Sequence, residues 1–316
     1  MALYLITGIG GFIGSSLARA LLQRGEQVRG VDNFATGKRK NLDEILPQID
    51  FREADILDLE AMKNACAGVD YVLHQAAIPS VPKSVLDPLG SNRANVDGTV
   101  SVLVAARDAR VKRVVYAASS SAYGDTPTLP KHERMTPDPI SPYAVAKLAS
   151  ERYMISFYRC YGLETVSLRY FNIFGPRQDP SSPYSGVLAK FITQMLHGQQ
   201  PTIFGDGEQS RDFTYIDNAV DANLLACKAP AEQAAGKVFN VATGRRITLN
   251  ETFKLLRALT SYSGSPIYEA ERGGDIKHSL ADISSAEQHL GYQPKVNFEE
   301  GLRRTVEWYR KTGSTE

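Results

Sequence analysis

Tyr143 and Lys147 stand four residues apart in the run Ser141-Pro-Tyr-Ala-Val-Ala-Lys147, a spacing that puts both side chains on one face of a helix. A phenol titrates near pH 10 and is a poor base at neutrality, whereas an ammonium beside it favours the phenolate. Such a pair can exchange a proton with a sugar or alcohol hydroxyl. Composition alone generates Tyr-x-x-x-Lys pairs, so position must supply the meaning. The preceding run Val114-Val-Tyr-Ala-Ala-Ser119-Ser120-Ser121 reads as a buried strand that ends in hydroxyls. The carboxyl end of a parallel strand opens onto the ligand crevice of an α/β sheet, so one serine of this triplet would orient the reacting hydroxyl.

A second cluster lies near the start of the chain. Leu3-Tyr-Leu-Ile-Thr7 runs into Gly8-Ile-Gly-Gly11-Phe-Ile-Gly14 and then into a helical pattern. Glycine suits this junction because the turn is tight and a pyrophosphate must reach bare backbone at a helix N-terminus, where unpaired N–H groups and the dipole favour anions. The next strand ends at Asp32-Asn33. A carboxylate there accepts hydrogen bonds from both ribose hydroxyls of an adenosine and repels a 2′-phosphate, which selects NAD over NADP. Lys38, Arg39 and Lys40 stand close enough to leave NADP as a minor alternative.

These groups need a scaffold, and the first half of the chain describes one. Short apolar runs at Leu3–Thr7, 27–31, Tyr71–His74 and 111–118 read as buried strands. Helical patterns fall between them at Phe12–Gln23, 58–66, 84–108 and Pro142–Tyr161, the last opened by Ser141 as N-cap and Pro142 at the first helical position. Alternating β and α implies a doubly wound parallel sheet covered on both faces. After Gly175 the rhythm becomes less regular, with helices expected at 187–197, 218–229, Leu249–Thr260 and 298–311. The expectation is a nucleotide-binding domain over residues 1–174 and a smaller α/β region over 175–316 that binds substrate, with some later segments returning to the first.

Composition narrows the function classes. Among 316 residues, 36 basic side chains face 35 acidic ones, for a net charge of +1, scattered without runs. Neither a nucleic-acid backbone nor an anionic membrane surface finds an electrostatic footprint. No apolar stretch reaches membrane-spanning length and no basic leader opens the sequence, so a soluble cytoplasmic protein is expected. Three widely spaced Cys exclude a disulfide framework, and five His without paired spacing give no metal motif.

Taken together, the runs resemble the extended short-chain dehydrogenase/reductases, and within them the nucleotide-sugar 4-epimerases. The resemblance spans nearly the whole chain: Gly8-x-x-Gly11-x-x-Gly14, Asp32-Asn33, Asp55-Ile56, His74-Gln-Ala-Ala77, Asn95-Val-Asp-Gly-Thr99, Ser119-Ser-Ser121, Tyr143-x-x-x-Lys147, Tyr170-Phe-Asn172, the run from Gly205 to Phe213 and Arg272-Gly-Gly-Asp275. It implies a Rossmann-type fold and Ser119, Tyr143 and Lys147 as catalytic residues, with Ser119 counted back from Tyr123-Gly124. For NAD it implies Gly8, Gly11, Phe12, Ile13, Gly14, Asp32, Asn33, Asp55, Ile56, Gln75, Ala76, Ala77, Asn95 and Tyr170, with Tyr143 and Lys147 shared. For a UDP-sugar it implies Ser80, Ser119, Ser121, Asn172, Gly186, Val187, Phe204, Arg211, Arg272 and Ser279. Arg211 and Arg272 suit bidentate pairing with a diphosphate.

The resemblance further implies a 4-epimerase acting through a transient 4-keto sugar. Ser279 stands where a larger residue would restrict entry to non-acetylated hexoses, which points to UDP-N-acetylglucosamine and UDP-N-acetylgalactosamine as the preferred pair, with UDP-glucose and UDP-galactose as the alternative. A glucuronate substrate would need a cationic pocket, and dehydration would need a carboxylate in the serine triplet, which has none. A module that holds NAD without turnover would leave Ser119, Tyr143 and Lys147 unexplained. In relatives, the helices at 84–108 and Pro142–Tyr161 pair across a two-fold axis, so a homodimer is expected.

Overall fold

Seven strands, each short and rich in Val, Ile, Leu, Phe or Tyr, form the central sheet of the computed structural model, which describes residues 1–180, 186–271 and 276–313. They are β1 (Leu3–Thr7), β2 (Gln27–Asp32), β3 (Asp50–Glu53), β4 (Tyr71–His74), β5 (Arg113–Ser119), β6 (Glu164–Tyr170) and β7 (Lys237–Val241). Their spatial order is β7-β6-β5-β4-β1-β2-β3, and every neighbouring pair is parallel. The chain winds outward in one direction from β1 and in the other from β4. The crevice between their carboxyl ends is thus the topological switch point, where open α/β sheets bind ligands.

Alternation along the strands sorts side chains into two cores. Tyr4 and Ile6 of β1 join Leu73, Val115 and the α1 residues Leu17 and Leu21 on one face, α1 being Phe12–Gln23. Leu5 joins Val31, Val72, Val114, Met62 and Leu103 on the other, beneath α2 (Leu59–Cys66) and the helix that precedes β5.

The single helix expected at 84–108 is broken into α3 (Val81–Leu86), α4 (Pro88–Asn92), a wide turn at Arg93–Asp97 and α5 (Gly98–Asp108). Pro88 cannot donate into a continuing helix, and Asp87 leaves helical backbone and turns its carboxylate onto the Gly90 amide at 2.9 Å. By contrast, α6 spans Pro142–Tyr161 as expected. Ser141 Oγ accepts from the Ala144 amide at 3.2 Å, and Gly162 closes the helix at φ 71°.

Two further boundaries move. Val111 and Lys112 form the turn into β5, their amides bonding Ala106 and Asp70 carbonyls, so the strand begins at Arg113 and its last residue is Ser119. β7 comes from the second half of the chain and completes the sheet beside β6. A segment of the second half thus lies in the same sheet as β1–β6. Among the described residues no helix is long and apolar enough to cross a membrane.

Candidate active site

At the end of β1 the chain turns so tightly that only glycine fits. Gly8 has φ 72°, its amide bonds the Val31 carbonyl at 2.8 Å, and a Cβ there would lie 2.7 Å from the Ala76 backbone nitrogen. A Cβ on Gly14 would collide with the Gly8 carbonyl. Gly11 caps α1 without a side chain, so no side chain covers the first-turn amides. Asp32 closes the cradle, accepting from the Gly10 amide at 2.8 Å and the Phe34 amide at 2.7 Å. Burial raises its pKa, and the amide bonds oppose that shift. Beyond it, Asn33 Nδ2 donates to Asp55 at 2.9 Å, tying the ends of β2 and β3 together. The basic run is already engaged: Lys38 pairs with Asp179 at 2.7 Å, and Arg39 bonds Glu53 and stacks on Phe34.

Ser119, at the end of β5, and Tyr143 and Lys147, on the first turns of α6, face one crevice. Lys147 is buried, donates to the Ala117 carbonyl at 2.8 Å and has its pKa pushed down to about 7 by burial. Burial also raises the Tyr143 phenol, with the Ser119 hydroxyl opposing. Desolvation outweighs the attraction that the sequence suggests between phenolate and ammonium. The protein alone thus keeps Tyr143 protonated. Ser119 Oγ accepts from the Ser121 amide at 3.2 Å and from the Ser121 hydroxyl at 2.8 Å, which leaves its own proton to be offered elsewhere.

Behind these groups a buried chain has a fixed proton order. The Thr99 hydroxyl donates to the Asn95 carbonyl at 2.6 Å, so its oxygen can only accept from His74 Nε2 at 2.9 Å. Nδ1 then accepts from the Thr7 hydroxyl at 2.7 Å. Burial, with Lys147 nearby, pushes the ring down to about 3 and keeps it neutral. The Asn95 side chain accepts from the Ile78 amide at 2.9 Å and pins the loop after β4. On the opposite wall, Tyr170 donates to Gln75 at 3.2 Å and accepts from Asn223 at 2.7 Å.

The crevice encloses about 770 Å³. Gly8, Gly11, Phe12, Ile13, Gly14, Asp32, Asn33, Asp55, Ile56, Gln75, Ala76, Ala77, Ser119, Tyr143, Lys147 and Tyr170 line it. A second cavity of about 630 Å³ is lined by Val187, Phe204 and Arg211 among others, and the two share Pro79, Ser80, Asn172, Ile173, Gln178 and Gly186. Three candidates lie off these walls. Asn95 is turned to the Ile78 loop, Ser121 to Ser119, and the Ser279 hydroxyl to Asn172 Nδ2 at 3.2 Å. Arg272 lies outside the described residues. Sequence reasoning passed over Gln178 and Gln209, which no spacing marks. Gln209 donates to the Phe204 carbonyl at 2.6 Å and so steadies a wall of the second cavity.

Residues 4–242 match the model of the NAD dependent epimerase/dehydratase family. This chain belongs to that family. The UDP-glucose 4-epimerase of Mycolicibacterium smegmatis is 37% identical over 97% of this family member and 98% of the relative. The crystal structure of a Thermotoga maritima UDP-glucose 4-epimerase with UDP-glucose is similar at TM-score 0.93 and 41% identity, covering 98% of this chain and 99% of that one. A UDP-N-acetylglucosamine 4-epimerase from Methanobrevibacter ruminantium, in complex with UDP-N-acetylmuramic acid, is similar at TM-score 0.93 and 40% identity over the same shares.

The crevice of this epimerase-family chain fits the dinucleotide. A glycine turn that a single Cβ would block, uncapped first-turn amides and a carboxylate at the end of β2 are the donors and acceptor that a pyrophosphate and an adenosine ribose require. Asp32 stands at the end of β2, Lys38 and Arg39 are paired to acids, and NAD is the cofactor of the family.

Proposed function

We propose that this enzyme interconverts the C4 epimers of a UDP-hexose, with a preference for the N-acetylated pair. The observation that carries the reading is that Ser119, Tyr143 and Lys147 wall a cavity that shares six lining residues with a second one lined by Phe204 and Arg211. A nucleotide anchored in the second can present its sugar to the first. Bound NAD supplies a reversible two-electron oxidation at sugar C4 and a formal positive charge to the crevice. Tyr143, as phenolate, takes the proton of the 4′-hydroxyl and later returns it. Ser119, its oxygen already saturated by Ser121, donates its proton to the sugar oxygen and holds it in line. Lys147, fixed on the Ala117 carbonyl, supplies donors and charge beside the phenol. Turnover of the 4-keto sugar between the two transfers inverts C4 with no net redox change and no metal.

The acetyl preference rests on Ser80, a polar residue common to both cavities, and indirectly on Ser279, which lies off the walls but accepts from the wall residue Asn172 at 3.2 Å and so leaves room behind it. Among the described residues no cation is common to both cavities, so this reading takes a neutral hexose before a glucuronate. The test compares kcat/KM for UDP-N-acetylglucosamine and UDP-glucose in the wild type and in Ser279→Tyr. The wild type should favour the acetylated sugar, and the variant should lose that advantage by about tenfold or more, because a larger side chain behind Asn172 pushes that residue into the shared wall. An unchanged ratio returns the assignment to UDP-glucose and UDP-galactose.

The enzyme is also proposed to be a homodimer. Val85 (63% exposed), Leu86 (82%) and Leu89 (78%) of α3 and α4 lie beside α6, which exposes Val145 (51%). An apolar surface built from adjoining helices suits a second copy packed across a two-fold axis. Light scattering at micromolar concentration should report twice the chain mass, and Leu86→Glu with Leu89→Glu should halve it. A monomeric wild type would contradict the assignment.

A further inference from the structure

Arg177 also borders the crevice. It follows the Asn172-Ile-Phe-Gly-Pro run and holds φ 71°, a left-handed backbone that a branched or long side chain adopts only at a cost. Its guanidinium turns back over the start of α1. One terminal nitrogen donates to Ser16 Oγ at 3.3 Å, while Nε is buried without a partner. Among the described residues no carboxylate forms an ion pair with it. The acids that face it are committed elsewhere: Glu44 to Arg19 at 3.1 Å and Asp217 to Arg304 at 3.5 Å. Asp179, two residues on, is paired with Lys38. Burial and the neighbouring Arg19 lower the pKa of the Arg177 guanidinium, and the opposing pull of Tyr215, Glu44 and Asp217 does not cancel them.

Such a group is expensive to keep unless something anionic completes it. The space it borders is the same crevice that the glycine turn and the first residues of α1 line. We infer that Arg177 is the cationic half of the diphosphate site, joining the α1 amides in holding the dianion of the bound dinucleotide. The backbone amides supply direction, and the guanidinium supplies the full charge they lack. The inference rests on the assignment of this crevice to NAD, and it adds a residue that neither the glycine pattern nor the Tyr and Lys pair would reveal.

The test measures dissociation constants of the full chain, freed of cofactor, for NAD, ADP-ribose and adenosine, in wild type, Arg177→Gln and Arg177→Lys. NAD and ADP-ribose should bind Arg177→Gln about 10- to 100-fold more weakly, the range of a charge-assisted hydrogen bond. Adenosine, which lacks phosphate, should bind all three alike, and Arg177→Lys should recover part of the loss. The salt dependence of ADP-ribose binding should flatten in Arg177→Gln. A purely structural arginine would behave differently, lowering the thermal midpoint of the ligand-free chain. Here that midpoint should hold or rise in Arg177→Gln, because an uncompensated charge is removed. Unchanged ADP-ribose affinity in Arg177→Gln, or a loss shared equally by adenosine, overturns the inference. A wild type that binds neither NAD nor ADP-ribose overturns the cofactor assignment beneath it. Should Arg177→Gln fail to fold, Arg177→Lys carries the test: ADP-ribose bound more weakly than by wild type with adenosine unchanged supports the inference, and wild-type ADP-ribose affinity or a loss shared by adenosine overturns it.

Discussion

Tyr143→Phe is expected to lower kcat by about 10³-fold, within the range for loss of a positioned acid–base group, while NAD content and KM for the UDP-sugar stay near wild type. The substitution removes one oxygen from a ring that α6 and the crevice wall hold in place, so the shape that binds cofactor and sugar survives. What disappears, on the proposed mechanism, is the group that carries the 4′-proton. Neither neighbour can replace it: Ser119 Oγ is saturated as an acceptor by Ser121, and Lys147 is tethered to the Ala117 carbonyl. The pH dependence carries a second signature. Burial raises the Tyr143 pKa, so the fraction of competent phenolate grows as pH rises, and wild-type kcat/KM should climb on the alkaline side of neutrality. In Tyr143→Phe that limb should vanish with the activity. Turnover within tenfold of wild type, or a residual rate that keeps the alkaline rise, would sink the assignment of the base.

The residues that sequence alone could find are those whose geometry is set by local periodicity. Tyr143 and Lys147 share a face because a helix repeats every 3.6 residues, and the glycines of the first turn declare themselves because no other residue fits. Hydroxyls in the irregular turn at Ser120–Tyr123 obey no such period. Which of them faces the crevice is decided by the bonds that Ser119 accepts from Ser121, and these exist only once the turn has formed. Asn95 likewise looks like a ligand residue in the sequence, yet its side chain is spent on the Ile78 loop. Arg177 escaped notice because its importance lies in a left-handed backbone and a missing partner, neither of which a spacing records. The return of β7 to the sheet was foreshadowed only in outline, since parallel pairing with β6 joins residues about seventy positions apart.

The largest stability effect should come from a pair that touches neither cavity. Glu151, one turn beyond Lys147 on α6, receives Arg169 of β6 in a bidentate contact at 2.7 and 2.8 Å, and the two side chains are 1% and 2% exposed. Arg169 also lies 4.6 Å over the Tyr123 ring, whose hydroxyl donates to Asn240 of β7 at 2.7 Å. The pair therefore fastens the helix that carries Tyr143 and Lys147 to the strand that ends at Tyr170, and braces the turn behind Ser119. Arg169→Leu would strand a buried carboxylate and is expected to cost about 3–5 kcal/mol, a substantial part of the stability of an ordinary domain. Glu151→Leu should cost a similar amount by stranding the guanidinium. The double variant should recover much of the loss, because two apolar side chains of similar volume remove both desolvation penalties at once. Urea unfolding of the four proteins gives the coupling directly. If the two single losses simply add in the double variant, or if Arg169→Leu costs less than about 1 kcal/mol, the pair behaves like a solvated surface bridge and the bracing role fails.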